Sequence, residues 1–131
     1  MEQFTQLTQD KGLYKKILKE GSGPIPQEGS LVSIYYTGVL ENGSVFEENR
    51  SGEGLVFRIG SQKESDDLKL IVGLEAAIKT MRKGEKAIIV MRPDYGYGYE
   101  GFLKIPAFSP LIYCVDLIKI KWKFVKILMY K

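Results

Sequence analysis

The sequence predicts an α+β fold in which a curved antiparallel sheet of five to six strands wraps around one short helix. Three observations carry this reading. Most apolar segments are short, rich in β-branched and aromatic residues, and punctuated by Gly, Pro and Asn. A single segment, residues 74–81, sets its apolar residues at helical spacing. Long loops join the remaining elements.

Taken in order, residues 1–11 are polar around isolated Phe4 and Leu7 and are expected to form a flexible lead-in. Leu13 to Lys19 mixes apolar residues with lysines and ends at Gly21-Ser22-Gly23-Pro24, a strand and its stop. Leu31 to Thr37 is dense in Val, Ile and Tyr, which predicts a second strand. Asn42-Gly43 then marks a hairpin that returns the chain through Ser44, Val45 and Phe46. A short strand follows from Leu55 to Ile59. Leu74, Ala77, Ile78 and Met81 fall on one face of a helix expected to run to about Lys83, where Gly84 stops it. Ala87 to Met91 and Leu111 to about Phe124 complete the strands, separated by a long aromatic loop from Arg92 to Pro110. The domain is expected over residues 12–121. Residues 122–131 form a basic and apolar extension, read either as packing back on the domain or, preferably, as the start of a further element.

Composition narrows the chemistry. The chain has 131 residues, enough for one domain, with 44% hydrophobic and 27% charged residues. No run approaches the ~18 apolar residues of a membrane span. The start of the chain lacks the basic region and apolar core of a signal peptide, so the expected compartment is the cytoplasm. There is no histidine, which removes Ser-His-Asp and Cys-His catalysis and any His-ligated metal. The single cysteine, Cys114, sits in an apolar run and reads as a buried, inert thiol. The net charge of +3 is a tail effect, because residues 119–131 contribute five Lys and no acid. Nucleic-acid binding, which wants a basic face across the fold, is poorly supported. The Tyr95, Tyr97 and Tyr99 ladder would need basic flanks to stack single strands, and its neighbours are Asp94 and Glu100.

Three ordered motifs resemble those of the FKBP-type peptidyl-prolyl isomerases, the macrolide-binding immunophilins. They are Tyr35-Tyr36-Thr37-Gly38 through Phe46-Glu47, Gly73-Leu74-Glu75 through Lys83-Gly84-Glu85, and Pro93-Asp94-Tyr95-Gly96-Tyr97-Gly98 followed by Ile105-Pro106. The resemblance covers nearly the whole span from Gly12 to Lys121. It implies that Tyr36 and Phe46 wall the pocket for a proline ring, although the pattern alone fits core aromatics equally well. It implies further that Ile71 offers a backbone amide to the substrate, that Leu70 lies beside it, and that Ile105 and Tyr113 form the far wall. Tyr97 and Glu47, the latter in place of the usual Asp, are implied as the catalytic pair. No cofactor or metal is expected, since an X-Pro bond is rotated by weakening amide resonance and needs no nucleophile.

Departures from the family pattern qualify that picture. Leu74 stands where a tryptophan usually floors the pocket, and Leu55 where an aromatic is usual. Lys104 replaces an apolar residue, Ala107 breaks a Pro-Pro pair, and residues 61–69 form an acidic insertion expected at the surface. Such changes resemble the divergent domains of multidomain immunophilin co-chaperones. The favoured expectation is therefore a protein-binding module with weak or absent isomerase activity; the alternative is an active isomerase that binds macrolides. Expected partners are proline-containing peptides or client proteins, and possibly chaperones engaged through a C-terminal region beyond this chain. Neither nucleic acid nor a membrane span is expected.

Overall fold

The computed structural model describes residues 3–60 and 71–121. Seven strands form one antiparallel sheet: β1 (Thr5–Gln6), β2 (Leu13–Lys19), β3 (Leu31–Leu40), β4 (Val45–Asn49), β5 (Leu55–Arg58), β6 (Lys86–Met91) and β7 (Leu111–Lys121). Their order is β1-β2-β6-β7-β3-β4, with β5 also paired to β3. One helix, α1 (Val72–Ile78), packs on the sheet, and a 3-10 turn at Pro93–Tyr95 opens the long aromatic loop.

Period-two alternation decides which face is buried. Val32, Ile34 and Tyr36 on β3, Ala87, Ile89 and Met91 on β6, and Leu111, Tyr113, Val115 and Leu117 on β7 all point inward. Leu74, Ala77, Ile78 and Met81 close the core from the helix side, on the face that their spacing predicts. Gly73 lets the helix approach closely, because a Cβ there would stand 2.8 Å from Met91 Sδ and 2.9 Å from the Tyr95 carbonyl.

The structure departs from the sequence expectations in several places. The lead-in is not wholly free: Thr5 and Gln6 pair with Lys15 and Tyr14 at the edge of the sheet. Their anchor is remote in sequence. The Asp10 carboxylate accepts from Thr8, Gly12 N, Arg92 and Tyr95 at 2.6–3.0 Å, so a loop 80 residues away clamps the turn before β2. The sheet therefore has seven strands, one more than the upper expectation. The helix ends at Ile78 rather than near Lys83, because Thr80 turns its own N–H and hydroxyl onto the Ala77 carbonyl and Met81 N bonds Ile78. Gly84, at φ +86°, serves the turn into β6 instead. Cys114 lies on the outer face of β7 and is half-buried, not buried, in keeping with the strand's alternation. The expectations for Leu70, for residues 61–69 and for residues 122–131 lie outside the described residues.

One charge is carried inward. Lys15 Nζ bonds Glu85 Oε2 at 2.9 Å and the Thr80 carbonyl at 3.1 Å, with both side chains almost wholly buried. This pair ties β2 to the segment that links α1 to β6. No helix among the described residues is long and apolar enough to cross a membrane.

Candidate functional site

A pocket of about 410 Å³ opens between β4 and the aromatic loop, lined by Phe46, Glu47, Tyr97, Phe102, Leu103, Lys104 and Ile105. Its first wall depends on a defect in the sheet. Gly38 faces Glu47 and Val39 faces Val45, so Phe46 is the extra residue of a β-bulge. A bulge breaks the strict alternation of a strand. Phe46 and Glu47, neighbours in sequence, thereby both reach the same cavity.

The second wall is a tight turn. Phe102 and Ile105 exchange backbone hydrogen bonds at 2.9 and 2.8 Å, which projects Leu103 and Lys104 at the tip. Gly101 at φ +71° makes the turn possible, since a Cβ there would lie 2.3 Å from the Ile105 carbonyl oxygen. Leu103 itself adopts φ +49°, a strained conformation for a residue with a branched side chain, and is 89% exposed. Tyr97 stacks on Phe102 with ring centres 5.2 Å apart and planes 11° apart.

Behind these walls sit Tyr36 and Tyr113. Tyr113 meets the edge of Phe46 at 5.7 Å and lies 6.1 Å from Tyr36. Gly38 leaves the space for this cluster. The Glu47 charge acts on all three phenols of Tyr36, Tyr97 and Tyr113. Burial pushes Tyr36 up to about 12, with the nearby Glu47 charge adding to it. Burial likewise raises Tyr97 and Tyr113, and desolvation raises Glu47 against the opposing influence of Tyr36. All three phenols are thus neutral hydrogen-bond donors at physiological pH.

Of the residues expected from the sequence, the structure brings Phe46, Glu47, Tyr97 and Ile105 to the cavity and places Tyr36 and Tyr113 directly behind it. Leu55 and Ile71 are partly buried against the same core, with Ile71 as the residue preceding α1. Leu74 is 2% exposed and belongs to the core beneath α1 rather than to the cavity lining. Phe102 and Leu103 line the pocket and went unread in the sequence. The one signal available for them is Gly101, which licenses the tight turn. Among the described residues no group of three or more His, Cys, Asp or Glu is placed to hold a metal.

A family model for FKBP-type peptidyl-prolyl cis-trans isomerase matches residues 23–118. The chain belongs to this FKBP-type family. FK506-binding protein 1 of Aspergillus oryzae is 41% identical over 120 residues, spanning 83% of this chain and 98% of that protein. A peptidyl-prolyl cis-trans isomerase from Pseudomonas syringae superposes with TM-score 0.76 at 28% identity, over 92% of this chain and 83% of that one. The FKBP domains of wheat FKBP73 superpose with TM-score 0.76 at 34% identity, over 89% of this chain and 49% of that one. The FKBP-type fold accounts for the sheet, and the pocket lies at the turn end of the β3–β4 hairpin, beside the aromatic loop.

Proposed function

We propose that this chain is a peptidyl-prolyl cis–trans isomerase acting on X-Pro bonds in peptides and proteins. The observation that carries the reading is the apolar pocket whose polar contents are confined to Glu47, Tyr97 and, at its rim, Lys104. Rotation about an X-Pro bond is slow because of amide resonance, with a barrier of ~18–20 kcal/mol. A dry pocket favours the twisted amide, which is less polar than the planar one. Phe46, Ile105 and the Tyr36–Tyr113 pair behind them would hold the proline ring. The Tyr97 hydroxyl donates to a substrate carbonyl, and the Ile71 backbone amide serves a second one at the start of α1. The Glu47 charge beside the Tyr36 phenol helps keep that phenol protonated. Positioning of this kind, without covalent chemistry, can account for large accelerations.

This reading ranks turnover ahead of the binding-module role favoured by the sequence pattern. Leu74, one of the departures behind the expectation of a weak enzyme, is buried in the core beneath α1, whereas Lys104, another, stands at the pocket. The binding-module reading keeps one supporting observation: Phe102 and Leu103 are exposed at the rim and offer apolar surface to a protein partner. A coupled assay with proline tetrapeptides, run on the wild type and on Tyr97→Phe, separates the two. Turnover that falls at least tenfold in the variant supports the isomerase. Peptide binding without turnover in the wild type supports the module.

A further inference from the structure

Two side chains of opposite charge line the pocket, and they are placed differently. Glu47 belongs to the β4 wall, where its charge acts on the phenols of Tyr36, Tyr97 and Tyr113. Lys104 belongs to the other wall, at the exposed tip of the turn that the Phe102–Ile105 hydrogen bonds close. The residues around it in that turn, Phe102, Leu103 and Ile105, are all apolar. Among the described residues the Lys104 ammonium makes no hydrogen bond and no ion pair; the ion pairs engage Lys15, Arg50, Lys79 and Arg92 instead.

A lysine so placed keeps its aliphatic stem over apolar surface and its ammonium in water. The backbone from which the stem departs is fixed: Phe102 and Ile105 bond each other in both directions, and Ile105 is 6% exposed. A cation without a counter-ion of its own is thereby tethered at the mouth of an apolar cavity. Consecutive Cα atoms are ~3.8 Å apart, so a proline ring seated in the pocket leaves the residues before and after it at the rim. A carboxylate on either one would meet Lys104, and the bound peptide would exclude part of the water that screens the pair. A phosphate matches less well. Phosphoserine carries about −1.5 to −2 charges, more than one ammonium neutralises, and the Glu47 charge in the same cavity repels the excess.

We propose that Lys104 is a specificity-determining residue that selects X-Pro bonds carrying Asp or Glu immediately before or after the proline. The inference rests on the isomerase reading above and names the substrate class of that pocket. Exposed ion pairs are weak, and one partly covered by a bound peptide stands at the upper end of their range, which corresponds to about three- to fivefold in kcat/KM. Lys104 therefore sets a preference among proline substrates and not a requirement. The preference is also sensitive to salt, because the screening length falls from ~10 Å at 0.1 M to ~3 Å at 1 M ionic strength.

The test uses proline peptides that differ only in charge, Glu against its isostere Gln, placed immediately before the proline in one pair and immediately after it in another. Catalysed exchange measured by two-dimensional NMR gives kcat/KM for each peptide with the full chain. The Glu-to-Gln ratio is expected to fall about three- to fivefold in Lys104→Met for at least one pair, to be kept in Lys104→Arg, and to fall further in Lys104→Glu. A ratio cancels any difference in the amount of folded protein. In 1 M NaCl the wild-type ratio is expected to approach that of Lys104→Met. A ratio unchanged in Lys104→Met for both pairs, lost in Lys104→Arg, or indifferent to salt overturns the proposal. Failure of the isomerase reading looks different: no peptide then exchanges faster with the wild type than without it. Fluorescence anisotropy of the same peptides decides in that case, since a Glu preference in affinity that Lys104→Met abolishes upholds the role of Lys104, and equal affinities for Glu and Gln peptides overturn it.

Discussion

Replacing Gly38 by alanine tests how closely the pocket depends on a single missing side chain. An added Cβ would lie 2.6 Å from Phe46 Cζ and 2.9 Å from Tyr113 Cε1. Ordinary carbon contacts begin near 3.5 Å, so one or both rings must move by roughly 1 Å. Tyr113 cannot, being buried between two strands of the sheet. Phe46 can, since it is only partly buried and its open side is the cavity. The ring would therefore swing into the cavity, the space assigned to proline in the isomerase reading. Overpacking of this kind costs ~1–3 kcal/mol in stability, toward the lower end where a ring can escape. A displacement of ~1 Å in a positioning wall can reduce turnover by up to about a hundredfold. The prediction is thus a disproportion: a small fall in the urea midpoint and a large fall in kcat/KM. Gly38→Ala with wild-type activity, or with activity lost only in step with unfolding, would refute the placement of Phe46.

The remaining predictions concern stability. Lys15→Met leaves the Glu85 carboxylate buried without its cation and should lower stability by about 3–5 kcal/mol, with much of that restored in Lys15→Met/Glu85→Leu. Chemical denaturation of the wild type and these two variants checks this, and a single-variant loss as small as that of a surface pair would sink it. Asp10, held well below the usual carboxylate range by hydrogen bonds from Thr8, Tyr95 and Gly12 N and by Arg92, contributes stability above the unfolded pKa near ~4 that is lost as pH falls through its depressed folded value. Asp10→Asn should accordingly unfold earlier than the wild type at pH 7, and the gap should narrow in acid. Faster hydrogen exchange at Leu7 N, which bonds the Leu13 carbonyl at 2.8 Å, should accompany it.

Local pattern carried the parts of the fold that local chemistry determines. Alternating Val32, Ile34 and Tyr36, the Asn42-Gly43 turn, and the Leu74-Ala77-Ile78-Met81 face each read correctly because burial imposes its own period on the chain. What escaped was set by partners far away in sequence. Thr5 and Gln6 have no strand signature; they pair because Arg92 and Tyr95 grip Asp10. The helix face continues to Met81, yet Thr80 draws the backbone into a tighter turn three residues before it. The bulge that sends both Phe46 and Glu47 into one cavity leaves no mark in composition, since it is a matter of register against β3. The Phe46–Tyr113 edge contact joins residues that the sequence could name separately but could not bring together.

The placement of β7 between β6 and β3 has a consequence for the order in which the protein comes into being. β3 supplies Tyr36, β4 supplies Phe46 and Glu47, and the strand that seals them, β7, pairs with β3 across roughly 70 to 90 residues of intervening chain. Closing so long a loop must be achieved before any of its contacts reward the chain, which makes assembly slow compared with that of helical domains of similar size. No contiguous fragment ending before Leu111 contains the wall that holds Phe46 upright. During synthesis, from N-terminus to C-terminus, the β3–β4 hairpin therefore waits with its aromatic face uncovered until the last strand arrives. On the isomerase reading, the protein is thus unable to assist its own early folding: the pocket appears only when β7 has joined the sheet.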